Sequence, residues 1–215
     1  MSASKKDTVS AAVAVERIAC SNLLAANPKL DNAIANSQKN NLPEITVSPL
    51  QGQFLAIQCQ LIGAKTVLEI GTLGGYSTIW LAQTGARVTS IEINPNHQEV
   101  ALENVAGLDT EIILGAALDV LPKLADEGRK FDMVFCDASW GEQEIYFDWA
   151  GCIYVDNVVW HVLESETAMS NKDSLLTHVG KDKRVKATLV PMISTAHTAF
   201  LGQTILDGFL LAVVN

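Results

Sequence analysis

From residue 64 onward, short β-branched runs alternate with helical patterns, and those runs are apolar almost throughout. Four of them end on or beside a carboxylate: Glu69, Glu92, Asp137 and Asp156. These observations predict an α/β chain with a Rossmann-like, mostly parallel, doubly wound sheet. Strands buried on both faces need no polar alternation, and parallel neighbours require crossovers that are usually helical.

Residues 7–38 are rich in alanine with Pro28 as the sole proline, which predicts one or two helices. The stretch NNLPEITVSPLQG (40–52), with two prolines and two asparagines, reads as a loop, and QFLAIQCQLIGA as a helix ending at Gly63. Strands are then expected at TVLEI, RVTSIEI, EIILG, FDMVFC and CIYVDN. The helices between them are YSTIWLAQTG, NPNHQEVALENVAG, ALDVLPKLADEG and a short one around EQEIYFDWA. A helix near DSLLTHVGKD, a strand VKATLVPM and a final strand GFLLAVV complete the pattern. There is no internal repeat. One compact domain is expected, with 1–46 as an N-terminal helical extension and 47–215 as the ligand-binding part.

The chain has 215 residues, 48% hydrophobic and 18% charged, a globular composition. A net charge of −9 opposes a nucleic-acid backbone and favours a small or neutral partner. Cys20, Cys59, Cys136 and Cys152 show no CxxC spacing, and the last three sit in apolar segments, as buried thiols in a reducing compartment do. The apolar core of MSASKKDTVSAAVAVERIAC is too short for a secretory signal or a membrane span, so a cytoplasmic protein with no membrane partner is expected.

Ligands of open parallel sheets bind beyond the carboxyl ends of the strands. There the loop EIGTLGGYS places Gly71, Gly74 and Gly75 before a helix start, where backbone N–H groups are free. Glu92, 21 positions after Gly71, is placed to accept hydrogen bonds from ribose hydroxyls. The combination indicates an adenosine-containing ligand. The G-x-x-G-G spacing, with Glu69 just ahead of it, disfavours a pyrophosphate and hence a nicotinamide dinucleotide. It tolerates the ammonium and sulfonium of S-adenosylmethionine.

Five segments, from VSPLQGQFLAIQCQLIGAKTVLEIGTLGGYSTIWLA through VTSIEINP, ILGAALDVLP and FDMVFCDA to CIYVDNVVW, together resemble the cation-dependent O-methyltransferases of the caffeoyl-CoA and catechol type. The resemblance implies the class I methyltransferase fold, with an antiparallel last strand. It implies methyl transfer from S-adenosylmethionine to a hydroxyl of a small catechol-like or phenolic aromatic, and homodimers are common among similar enzymes. Position by position, Val47, Glu69, Gly71, Thr72, Ser77, Glu92, Ala117 and Asp137 match the family's cofactor contacts. Ser77 would hold the methionine carboxylate, and Ala117 would lie beside the adenine.

Asp137, Asp156 and Asn157 match the family's three ligands for a divalent cation, usually Mg²⁺. Two carboxylates and an amide oxygen suit a hard ion and leave room for vicinal hydroxyls. Capping by Asp137 and a turn at Asp156-Asn157 are the plain structural alternatives. This chain departs from the family in two places. Ser139-Trp140 replaces the family's Asp-Lys, and the crossover from Ala138 to Gly151 is shorter. The missing lysine directs attention to His161, four positions beyond Asn157, as a base for the acceptor hydroxyl; an exposed loop histidine is the alternative. Trp140 and Trp160 are open to two roles, stacking on an aromatic acceptor or packing in the core. The same departures leave a cofactor-binding protein without turnover as a rival to the enzyme.

Overall fold

The computed structural model describes residues 5–138, 152–164, 174–194 and 205–214. The expected helix around EQEIYFDWA, together with Ser139 and Trp140, lies outside them.

The N-terminal extension forms two helices, α1 (Lys5–Leu23) and α2 (Pro28–Lys39). They separate where Asn27 caps α2, its side chain accepting from Leu30 N, and Pro28 occupies the first turn. The next helix, α3 (Pro49–Leu61), begins inside the stretch read as loop. Ser48 accepts from Gln51 N at 3.2 Å and Pro49 opens the first turn, so the serine-proline pair starts a helix rather than a turn.

The alternating region follows as β1 (Thr66–Ile70), α4 (Tyr76–Ala82), β2 (Arg87–Glu92), α5 (Pro95–Asn104), β3 (Thr110–Leu114), α6 (Ala117–Asp126), β4 (Met133–Cys136) and β5 (Cys152–Val155). Then come α7 (Val158–Glu164), α8 (Leu175–Val179), β6 (Val185–Ser194) and β7 (Ile205–Val214). Helix α7 was not predicted. His161 therefore sits on a helix, half-buried, rather than in an exposed loop.

Seven strands form one sheet in the order β3-β2-β1-β4-β5-β7-β6. β1 to β5 pair in parallel, and β7 runs antiparallel to both β5 and β6. The chain steps outward from β1 through β2 to β3, then returns to place β4 on the other side of β1. That reversal opens a crevice at the carboxyl ends of β1 and β4.

Both faces of the sheet are covered, as the apolar strands require. Val67, Met133, Phe135 and Tyr154 pack with Leu30, Leu55, Ile79 and Ala101 of α2 to α5. Leu68, Ile70, Val134, Cys136 and Ile153 pack with Val120, Leu121, Val158 and Leu175 of α6 to α8. Burying each of the Val, Leu, Ile, Phe and Met side chains among them contributes about 1.5–3 kcal/mol. Cys59 and Cys136 are buried, Cys20 and Cys152 partly so, and all four are free thiols. No helix among the described residues is long and apolar enough to cross a membrane.

Candidate active site

The crevice at the strand ends holds a cavity of about 270 Å³. Of the residues expected to touch the cofactor, Val47, Gly71, Thr72, Ser77, Glu92, Ala117 and Asp137 line it. The eighth, Glu69, does not. It is fully buried, and its Oε2 accepts from Thr78 and Ser90 hydroxyls beneath the cavity wall. Along β1, Val67 and Glu69 point toward α4 while Leu68 and Ile70 point the other way, so strand alternation turns Glu69 into the hydroxyl-lined layer behind the site. Burial pushes its carboxyl above the usual range, against the pull of hydrogen bonds from Ser77, Ser90, Thr78 and Thr72. Among the described residues, its Oε1 has no hydrogen-bond partner. Glu69 therefore faces away from the cavity and, contrary to the expectation from sequence, sets no bare carboxylate against a pyrophosphate there.

The glycine loop is held by the acid that ends β2. Glu92 Oε2 accepts from Thr72 N at 3.2 Å and Leu73 N at 2.9 Å, and Oε1 accepts from Asn94 N at 2.9 Å. Leu73 adopts φ 50°, a left-handed conformation that costs a non-glycine residue about 1–2 kcal/mol. Gly71 has φ 89°, and a Cβ built there would stand 2.2 Å from the Asp137 carbonyl oxygen. Only glycine lets the loop after β1 abut the end of β4 this closely.

His97 also lines the cavity, with Nδ1 3.6 Å from Glu92 Oε1. Its position in sequence gave no ligand-spacing signal. It enters because the first turn of α5 folds back over the end of β2.

At the β4–β5 edge, the carboxyls of Asp137 and Asp156 are both raised above the usual range. Removal from water is the first cause for each; for Asp137 the neighbouring Asp156, Glu69 and Asp207 add to it, and for Asp156 the neighbouring Asp207 does. Hydrogen bonds from Asn157 N and the Gln51 side chain pull Asp156 partway back. Gln51 is itself placed by Tyr154, whose hydroxyl lies 3.3 Å from Gln51 Nε2 and whose ring stacks on Phe209 at 4.2 Å.

The third acid, Asp207, was missed in sequence. An acid at the end of a parallel strand is a visible signal, but β7 runs antiparallel, so its beginning reaches this edge of the sheet. Asp207 is 2% exposed; Asn157 Nδ2 donates to its Oδ2 at 2.7 Å, and Trp160 N and Gly208 N donate to its Oδ1 at 3.0 and 2.8 Å.

The site thus joins a buried-acid loop anchor to a desolvated acidic edge. No group of three or more His, Cys, Asp or Glu among the described residues is arranged to hold a metal ion. The donor set that fits a hard cation is Asp137 and Asp156 with the Asn157 amide oxygen. His161 and Trp160 lie on α7, next to this edge in sequence, and neither lines the cavity.

A family model described as O-methyltransferase matches residues 25–196. The catechol O-methyltransferase of Mycobacterium tuberculosis is 38% identical over 213 residues, covering 91% of this chain and 92% of its own. The O-methyltransferase imqG of Aspergillus flavus is 36% identical over 211 residues, covering 86% and 82%. The crystal structure of the O-methyltransferase from Bacillus cereus, in complex with SAH, superposes with a TM-score of 0.84 at 32% identity, covering 96% of this chain and 100% of that one. Matched along most of its length in sequence and in fold, the chain belongs to the O-methyltransferase family.

Proposed function

We propose that the protein transfers a methyl group from S-adenosylmethionine to a hydroxyl of a small catechol-like or phenolic acceptor, with a divalent cation, Mg²⁺ by the chemistry of its ligands. One observation carries this reading: the cavity lined by the Glu92-anchored glycine loop is lined also by Asp137, whose carboxyl is raised by removal from water and by its neighbour Asp156. The SAH complex of the Bacillus cereus relative and the catechol acceptor in the name of the Mycobacterium tuberculosis relative support it.

Glu92, whose carboxylate keeps acceptor capacity beyond its three backbone donors, takes a ribose hydroxyl. Gly71, Thr72 and Ser77 hold the methionine end, and Val47 and Ala117 supply apolar walls. Asp137, Asp156 and Asn157 hold the cation, which supplies charge stabilisation to an ionising hydroxyl. Catalysis of such a direct displacement rests on orienting acceptor oxygen and methyl group in line and on excluding water. His161, one turn into α7, serves as the base in this scheme.

Methyl transfer from labelled S-adenosylmethionine, screened over catechols and other phenols with Mg²⁺ and then with chelator, tests the reading. Product that disappears with chelator is the expected result. SAH binding without product across the panel instead marks a binding protein. His161→Ala is expected to lower kcat and remove a limb of its pH profile; an unchanged profile removes His161 from the scheme.

A further inference from the structure

We propose that Asp207 is a positioning residue that fixes which end of the Asn157 side chain faces the cation. This rests on the reading that Asp137, Asp156 and Asn157 form a cation site. An asparagine amide presents oxygen on one side and NH₂ on the other, and only the oxygen can bind a cation. Both Asp207 oxygens act as acceptors, Oδ1 from Trp160 N and Gly208 N and Oδ2 from Asn157 Nδ2 at 2.7 Å, so the contact selects the NH₂ end of Asn157. The amide oxygen is thereby turned to the opposite side. A neutral amide at 207 could present either end and would leave that choice open.

Two further features fit this role. Asn157 precedes α7, where its side chain would ordinarily accept the N–H of the third helical residue. That residue is Trp160, and its N–H goes to Asp207 Oδ1 at 3.0 Å. Asp207 therefore does the capping from another strand and releases the Asn157 amide oxygen for other work. Asn157 also holds φ 57°, a left-handed conformation that asparagine tolerates better than most residues, while its carbonyl starts the helix by accepting from His161 N at 2.9 Å. Asp207, the third acid at this edge, already spends its oxygens on Asn157, Trp160 and Gly208, so the Asn157 amide oxygen is the ligand that completes the set. Its orientation then matters as much as that of a carboxylate.

Mn²⁺ affinity, read by electron paramagnetic resonance on the wild-type protein, Asp207→Asn, Asn157→Gly and the double variant, tests the inference. Glycine at 157 removes the amide and accepts the positive φ. Both single variants are expected to bind Mn²⁺ about 10–100-fold more weakly. The double variant is expected to match Asn157→Gly within about twofold, because Asp207 acts through Asn157. Asp207→Asn binding as tightly as wild type overturns the inference alone. A further loss in the double variant also overturns it, since Asp207 would then act by its charge. A wild-type protein that binds no Mn²⁺ overturns the cation reading itself. SAH affinity and the thermal midpoint are recorded beside each value. If Asp207→Asn does not fold, the wild-type Asn157 side-chain NH₂ resonance decides. Protection from exchange that persists with Mg²⁺ upholds the inference, and exchange at the solvent rate overturns it.

Discussion

Glu92 shows how much one carboxylate can organise. Three backbone N–H groups converge on it, two of them from the loop that the ligand must meet. A glutamine there would turn an NH₂ toward one of those donors. Glu92→Gln is therefore expected to weaken SAH binding about 10–100-fold, the equivalent of about 1.4–2.7 kcal/mol, by calorimetric titration. Gly71 carries a different burden. Alanine at 71 would meet the Asp137 carbonyl at 2.2 Å in a left-handed backbone, so Gly71→Ala is expected to cost about 3 kcal/mol of stability in equilibrium denaturation. Both residues were identifiable in sequence, because a glycine turn and an acid at a strand end are local signals. His97 and Asp207 were not, since their roles depend on where a helix turn and an antiparallel strand come to rest.

At the scale of elements, the parallel strands were readable from their apolar runs, and the helices between them from their spacing. The start of α3 was misplaced because Ser48-Pro49 belongs equally to a turn and to a helix N-terminus, and only Gln51 N decides between them. Helix α7 escaped because VVWHVLE is short and opens on two β-branched residues, and its cap comes from β7, some fifty residues on. The alignment of β1 with β4 has its own fastener. Asp132 Oδ2 accepts from Lys65 N, Thr66 N and Thr66 Oγ1 at 2.8, 2.9 and 3.1 Å. These bonds, chiefly those from the two backbone N–H groups, hold its carboxyl below the usual range. Asp132→Ala is expected to lower stability by about 1 kcal/mol, with the crevice intact and SAH affinity unchanged.

The whole molecule carries a pH signature from its acidic edge. Asp137 and Asp156 are raised in the folded state, while in the unfolded chain they ionise near the ordinary value of about 4. Between those limits the folded protein binds more protons than the unfolded one, so stability falls as pH rises through that window. In chelator, the thermal midpoint is expected to decline from about pH 5 toward pH 8 on this account. Mg²⁺ is expected to flatten the decline, because a bound cation favours the ionised acids; a slope unaffected by Mg²⁺ would separate the acidic edge from cation binding.

The abutment of Gly71 against Asp137 has a consequence for energetics at a distance. In the proposed scheme, the loop that would receive S-adenosylmethionine and the strand end that would receive the cation share a single steric boundary, so a shift of one presses on the other. Occupancy on the two sides would then be thermodynamically linked. Whatever factor the cation applies to SAH affinity, SAH must return to the cation in equal measure. Titrating each in the presence and absence of the other would close that square.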